Sequence, residues 1–98
     1  MAQLSNEAIE RGLNALPGWK LHDGAIAKQF RCSGFAAAMA LVNWVAWQAE
    51  AADHHPDILI NYNRVTFTCS THSEGGVTDK DLALAAAIER SAQAAQAS

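Results

Sequence analysis

Apolar residues recur along the chain with two different periods, and each change of period marks a change of element. Ile9, Leu13 and Leu16 fall on one helical face behind Ser5, whose hydroxyl can accept a backbone N–H at a helix start. Pro17-Gly18 ends that helix. Residues 19–21 and 25–31 read as two short strands around His22-Asp23-Gly24, where Asp-Gly signals a hairpin turn. Ser33 is placed to cap a long helix running to about residue 51. Phe35, Met39, Val42, Ala46 and Ala49 form one apolar stripe on it, and Ala40, Trp44, Trp47 and Ala51 form a second. A helix apolar on two faces is buried twice, against its own sheet and against something else. In so short a chain that something is another subunit.

Pro56 stops the long helix. Ile58, Ile60 and Tyr62 then alternate with Leu59 and Asn61. After Asn63-Arg64, Val65, Phe67 and Cys69 alternate with Thr66, Thr68 and Ser70. This is a second hairpin with one apolar face and one face rich in hydroxyls. Gly75-Gly76 breaks the chain, and Thr78 caps a last helix through Leu82, Ala85, Ile88 and Ala92. The tail from residue 91 to 98 is only Ala, Gln and Ser and is expected to fray. The order α-β-β-α-β-β-α, with hairpins in place of crossovers, predicts an α+β fold. It is one domain over residues 1–98, a four-stranded antiparallel sheet with helices on one face.

Composition narrows the partners. Half of the 98 residues are apolar and 17% are charged, so a core can form. The formal charge of -3 argues against nucleic-acid phosphates as the main partner. No stretch approaches the ~20 apolar residues of a membrane span. The stretch from Met1 to Glu7 lacks a basic region followed by an apolar one, so no leader is visible and a cytoplasmic location is expected. Cys32 and Cys69 sit far apart, outside any metal-ligand spacing, and read as reduced, packed thiols.

The candidate chemistry is a histidine cluster. Three of the four histidines, His54, His55 and His72, lie within 19 positions, with Glu50 and Asp53 before them and Asp81 after. Imidazole titrates near pH ~6.5, so such a cluster can both give and take protons. The second hairpin folds the chain back, which can return residue 72 to residues 54 and 55. His-His-Pro has neither the helix-face nor the finger spacing usual for zinc, so no metal is expected. General acid–base catalysis needs only titratable groups near the substrate.

These residues resemble the pterin-4a-carbinolamine dehydratase family. The matching elements are Glu50-x-x-Asp53-His54-His55-Pro56, Tyr62-Asn63, Ser70-Thr71-His72 and Asp81, in the family's order and spacing. Leu16-Pro17-Gly18-Trp19, Ile26-x-Lys28-x-Phe30 and Gln48-Ala49-Glu50 support them, and the likeness covers nearly the whole chain. It implies a lyase that eliminates water from 4a-hydroxytetrahydropterin to give quinonoid dihydropterin, recycling the cofactor of an aromatic amino-acid hydroxylase. It implies no organic cofactor, a pterin as the small-molecule partner, and a homodimer or homotetramer without direct contact to nucleic acid or membrane. Animal members also serve as a dimerisation cofactor for a homeodomain transcription factor.

By resemblance, His54, His55 and His72 line the pterin pocket. His54 and His72 are assigned as the proton-transfer pair and His55 as a positioning group. Glu50, four residues before His54, shares a helix face with it if the helix persists, and its carboxylate would then orient that imidazole. Asp53, Ser70, Thr71, His72 and Ser73 match the stretch that holds the ring in relatives. A strand end can read the donor and acceptor edge of a pterin with backbone groups. Asp81 stands three residues after Thr78, where a carboxylate suits a helix's first turn, and it has a supporting catalytic role as a second reading. Glu74-Gly75 replaces the Cys-Ala of animal relatives, and Ile58 stands where those relatives carry Trp. The alternatives are a non-catalytic pterin-binding or transcriptional partner protein, and a dehydratase-like protein of molybdopterin metabolism.

Overall fold

A computed structural model describes residues 3–98; Met1 and Ala2, part of the stretch read for a leader, lie outside them. The element order is the expected one: α1 (Asn6–Leu13), β1 (Lys20–His22), β2 (Ala25–Arg31), α2 (Phe35–Ala52), β3 (Asp57–Asn61), β4 (Arg64–Cys69) and α3 (Asp79–Ala94), with a short 3₁₀ turn at His72–Glu74. The strands form one antiparallel sheet in the order β1-β2-β4-β3. The first hairpin turns at Asp23 and Gly24, both with positive φ (50° and 74°), as a two-residue turn matching strand twist requires. In the second hairpin the turn is Tyr62-Asn63, one residue earlier than Asn63-Arg64, with Tyr62 at φ 54°. An aromatic residue is uncommon in that region, so strand propensity pointed the wrong way there.

The helices cover the sheet face that carries Ile26, Phe30, Val65, Phe67 and Cys69, all buried. Ile26 pairs with Cys69 and Phe30 with Val65, so the alternation of β2 and β4 falls in phase. Phe30 meets Phe67 edge-on with centroids 5.9 Å apart, and Trp19 meets Phe30 likewise at 6.3 Å. Burying each phenyl ring contributes about 1.5–3 kcal/mol. Lys28, on the same face, runs over the Phe30 ring and ends between the Pro17 carbonyl and the Glu89 carboxylate. Trp19 Nε1 donates to that carboxylate at 2.9 Å, so the turn after α1, the sheet and α3 share one part-buried polar junction.

Three expectations for the helices need correction. The buried stripe of α2 is Ala38, Leu41, Val45 and Ala49; Phe35 is 53% exposed. A helix apolar nearly all round gives no phase to choose from. The second stripe does point outward, with Trp44 60% and Trp47 77% exposed. Ser33 does not cap α2. Gly34 is the N-cap residue and no side chain caps it. The entry to α2 is fixed by Cys32 N–H donating to the Asn63 carbonyl and the Asn63 amide donating back to the Cys32 carbonyl. The tail does not fray: α3 continues to Ala94 with Ser91 and Ala92 buried. Beyond it, Ser98 and Arg31 exchange backbone hydrogen bonds at 3.0 and 3.3 Å, so the chain end is clasped to the end of β2.

Candidate active site

The end of α2, the end of β4 and the start of α3 meet at one corner of the sheet. Each brings a loop fixed by local chemistry. At the first, Asp53 adopts the left-handed conformation (φ 51°, ψ 42°) and closes α2 with bonds from its N–H to Ala49 and Glu50 carbonyls. The chain therefore leaves the helical path before His54. At the second, Thr71 and Gly76 bridge the loop, with Thr71 N–H donating to Gly76 O at 2.9 Å. Between them the 3₁₀ turn carries His72 and Ser73, and Gly75 closes it at φ 74°, a conformation suited to glycine. At the third, Thr78 caps α3 and Asp81 completes a capping box.

Asp81 is the hub. It is fully buried, and each carboxylate oxygen is used. Oδ2 accepts from Thr78 N–H at 2.9 Å and from the Thr71 hydroxyl at 2.8 Å. Oδ1 lies 2.6 Å from His54 Nε2. The Thr71 and Thr78 hydroxyls also bond each other at 2.8 Å. A carboxylate has no proton to offer the imidazole, so His54 donates from Nε2, and Nδ1 is the nitrogen left for other work. Both readings of Asp81 coexist in one side chain: it starts the helix and it holds a histidine.

Glu50 does not hold His54. Because α2 ends at Ala52 and Asp53 turns the chain, the four-residue spacing no longer puts them on one face. Glu50 Oε1 instead lies 2.6 Å from His55 Nε2, and both side chains are exposed. The two adjacent imidazoles thus have different carboxylate partners, one buried and one in solvent.

A cavity of about 340 Å³ opens at this corner. Asp53, His54, His55, Ser70, Thr71, His72 and Ser73, the ring-holding residues expected from the sequence, all line it. Glu50 and Asp81 stand behind it as partners of the two imidazoles. His22, the fourth histidine, is exposed at the first hairpin turn beside Asp23. Lys80 also lines the cavity and was not anticipated. Its place beside Asp81 in the first turn of α3 is a signal the sequence contains. The role of Thr71 as a donor to Asp81 was likewise missed, since only the fold brings the two together.

Cys69 precedes this site on β4. Burial, then the negative charges of Asp81 and Asp57, push its thiol up to about 12. It is a packed hydrophobe, fully buried. Burial also raises the Cys32 thiol.

Comparison with known proteins shows the family and the fold. The family model described as Pterin 4 alpha carbinolamine dehydratase matches residues 2–91. A protein of Acidobacterium capsulatum bearing the pterin-4-alpha-carbinolamine dehydratase name is 54% identical over 89 residues, 91% of this chain and 97% of its own. One from Chloroflexus aurantiacus with the same name is 51% identical over 91% of this chain and 96% of its own. Among solved structures, a transcriptional coactivator/pterin dehydratase from Brucella melitensis superposes with a TM-score of 0.88 at 37% identity, covering 92% of this chain and 98% of that one. A pterin dehydratase-like RuBisCO assembly factor of the alpha-carboxysome shares the fold at a TM-score of 0.63 and 20% identity, over 76% of this chain and 86% of its own.

Proposed function

The chain belongs to the pterin-4a-carbinolamine dehydratase family, and from that premise we propose that it eliminates water from 4a-hydroxytetrahydropterin by histidine acid–base catalysis. One observation carries the reading: three imidazoles border a single cavity, and one of them is oriented by a buried carboxylate.

The reaction moves two protons and breaks one bond. The hydroxyl on carbon 4a gains a proton and leaves as water, while the electrons of the N5–H bond close a C4a=N5 double bond as that proton departs. His54, donating to Asp81 through Nε2, offers Nδ1 as the base for the N5 proton. His72, on the 3₁₀ turn across the cavity, gives a proton to the departing hydroxyl. His55, paired with Glu50, positions the substrate. Asp53 and residues 70–73 bind the ring, with backbone groups at the end of β4 reading the pyrimidine edge. Each proton transfer supplies about 10²–10⁴-fold. Thr71, Thr78 and Asp81 hold the base in place.

The same reading makes the protein a homodimer or homotetramer, assembled in part through the exposed Trp44 and Trp47 stripe of α2. It works in the cytoplasm, returning quinonoid dihydropterin to an aromatic amino-acid hydroxylase cycle. A second reading has its own support, because the Brucella melitensis neighbour is described as a coactivator as well as a dehydratase.

The deciding experiment is a dehydratase assay with freshly generated 4a-hydroxytetrahydropterin, read above the uncatalysed rate and repeated after exhaustive chelation. Catalysis well above background that survives the chelator is the expected result. A rate equal to buffer, together with stable capture of a transcriptional regulator, would replace the enzyme reading with the partner one.

A further inference from the structure

We infer that Arg31 and Arg64 form a binding site for a phosphorylated side chain on an extended segment of a partner protein. The site lies on the open face of the sheet, at the opposite end of β4 from the histidine cavity, and it is independent of the dehydratase reading.

Side chains alternate along β2 and β4. Phe30 and Val65 are buried under the helices, so their neighbours Arg31 and Arg64 point out of the other face, and both are exposed. The register sets the two arginines directly opposite each other. Arg31 uses its backbone N–H and C=O on Ser98, on the side of β2 away from β4. The two arginines are therefore a non-hydrogen-bonded pair, with Cα atoms about 4.5 Å apart and side chains close together. Asn61 faces Arg64 from β3 on the same side of the sheet. One pair further in on this face, Gln29 donates to the Thr66 hydroxyl at 3.3 Å.

Like charges directly opposite each other destabilise a sheet. Among the described residues neither arginine has an acidic partner. Asp57, the strand carboxylate on this face, pairs with Thr68, four residues along β4 from Arg64 and about 13 Å away at about 3.3 Å per residue. The missing anion comes from outside the chain. A guanidinium fork matches phosphate oxygens two at a time, and a phosphate dianion answers both charges at once. An exposed sheet face holds a small metabolite poorly, since such ligands need concave walls. It suits a protein segment, which brings further contacts of its own. Leu59 on the same face and Tyr62 at the adjoining turn are both exposed beside the pair. Arginine and tyrosine are enriched where proteins meet, and arginine clusters read phosphorylated motifs.

The test titrates the whole chain with a short Gly-Ser-Ala peptide carrying one phosphoserine, and with its unphosphorylated parent. NMR follows the side-chain Nε–H signals of the four arginines. Arg11 on α1 and Arg90 on α3 stand apart from the pair and serve as internal references. Arg31 and Arg64 should shift together and saturate, while Arg11 and Arg90 shift little. Binding should weaken about tenfold or more for the parent peptide and for Arg31→Gln/Arg64→Gln, the scale of one lost charge-assisted hydrogen bond. Circular dichroism checks that this variant folds; if it does not, the titration of the natural chain decides alone. Equal shifts of all four arginines, no saturable shift of the pair, or equal binding of the parent peptide would overturn the site. Sedimentation with phosphatidic-acid vesicles, seen for the natural chain and lost in the double variant, would put a membrane in place of the protein segment and overturn the inference.

Discussion

Replacing Asp81 by Asn separates the two tasks of that side chain. The amide oxygen can take the place of Oδ2 and still accept from Thr78 N–H and the Thr71 hydroxyl, so the capping box survives. The amide NH₂ then faces His54 Nε2 across what is now a 2.6 Å contact. Two donors cannot share that contact. The neutral ring must turn its lone pair to Nε2 and carry its proton on Nδ1, where the proposed base needs a lone pair. The structural cost is the charge at the helix start and the charge-assisted part of the bonds, about 1–2 kcal/mol together. For a domain of this size that lowers Tm by roughly 4–16 °C. The catalytic cost is loss of a correctly protonated base, about 10²–10⁴-fold in kcat/KM. Thermal circular dichroism and the dehydratase assay on the same sample measure both. A folded Asp81→Asn protein with near-native kcat/KM would refute the assignment of His54 as base and of Asp81 as its orienting partner.

His54→Ala and His72→Ala are each expected to lose about 10²–10⁴-fold in turnover with the fold intact, His55→Ala mainly to raise KM, and the remote His22→Ala to be nearly silent; near-native rates in the folded His54→Ala/His72→Ala double variant would contradict the mechanism. Light scattering should return an oligomer for the natural chain and a particle of about 10.5 kDa for Trp44→Glu/Trp47→Glu; a stable natural monomer at micromolar concentration removes the assembly. The Cys69 thiol, raised from 9.0 to about 12, stays protonated in the folded state at pH where an unfolded chain would ionise it. Its contribution to stability is thus full below pH 9 and lost as pH climbs toward 12. Denaturant midpoints from pH 8 to 11 should fall less steeply in Cys69→Ala than in the natural protein. Alkylation of Cys69 at pH 8 should be far slower in the folded than in the denatured chain.

The parts of the fold written in local chemistry were readable from the sequence. Asp23-Gly24 makes its turn, Thr78 caps α3, and Val65, Phe67 and Cys69 alternate inward as period two demands. What escaped was decided by tertiary contacts. Nothing local told Ala38, Leu41 and Val45 from their equally apolar neighbours on α2. Nothing in the Ala-Gln-Ser tail announced its clasp on Arg31. At the candidate site, the pattern of residues identified the cavity lining, but pairing by sequence distance linked Glu50 to His54. The left-handed turn at Asp53 exchanged the partners, giving Glu50 to His55 and Asp81, 27 residues away, to His54.

Helix ends open more readily than helix middles, and the first turn of α3 is such an end. Its opening breaks the bonds that Asp81 makes to Thr78 and Thr71, and with them the support behind His54. An opening of that turn would therefore also unset an imidazole. Warming would disable this corner while most of the helical signal persists, and ligands that pin His54 would slow amide exchange at Thr78. A single carboxylate makes the durability of the site and the integrity of a helix start the same physical quantity.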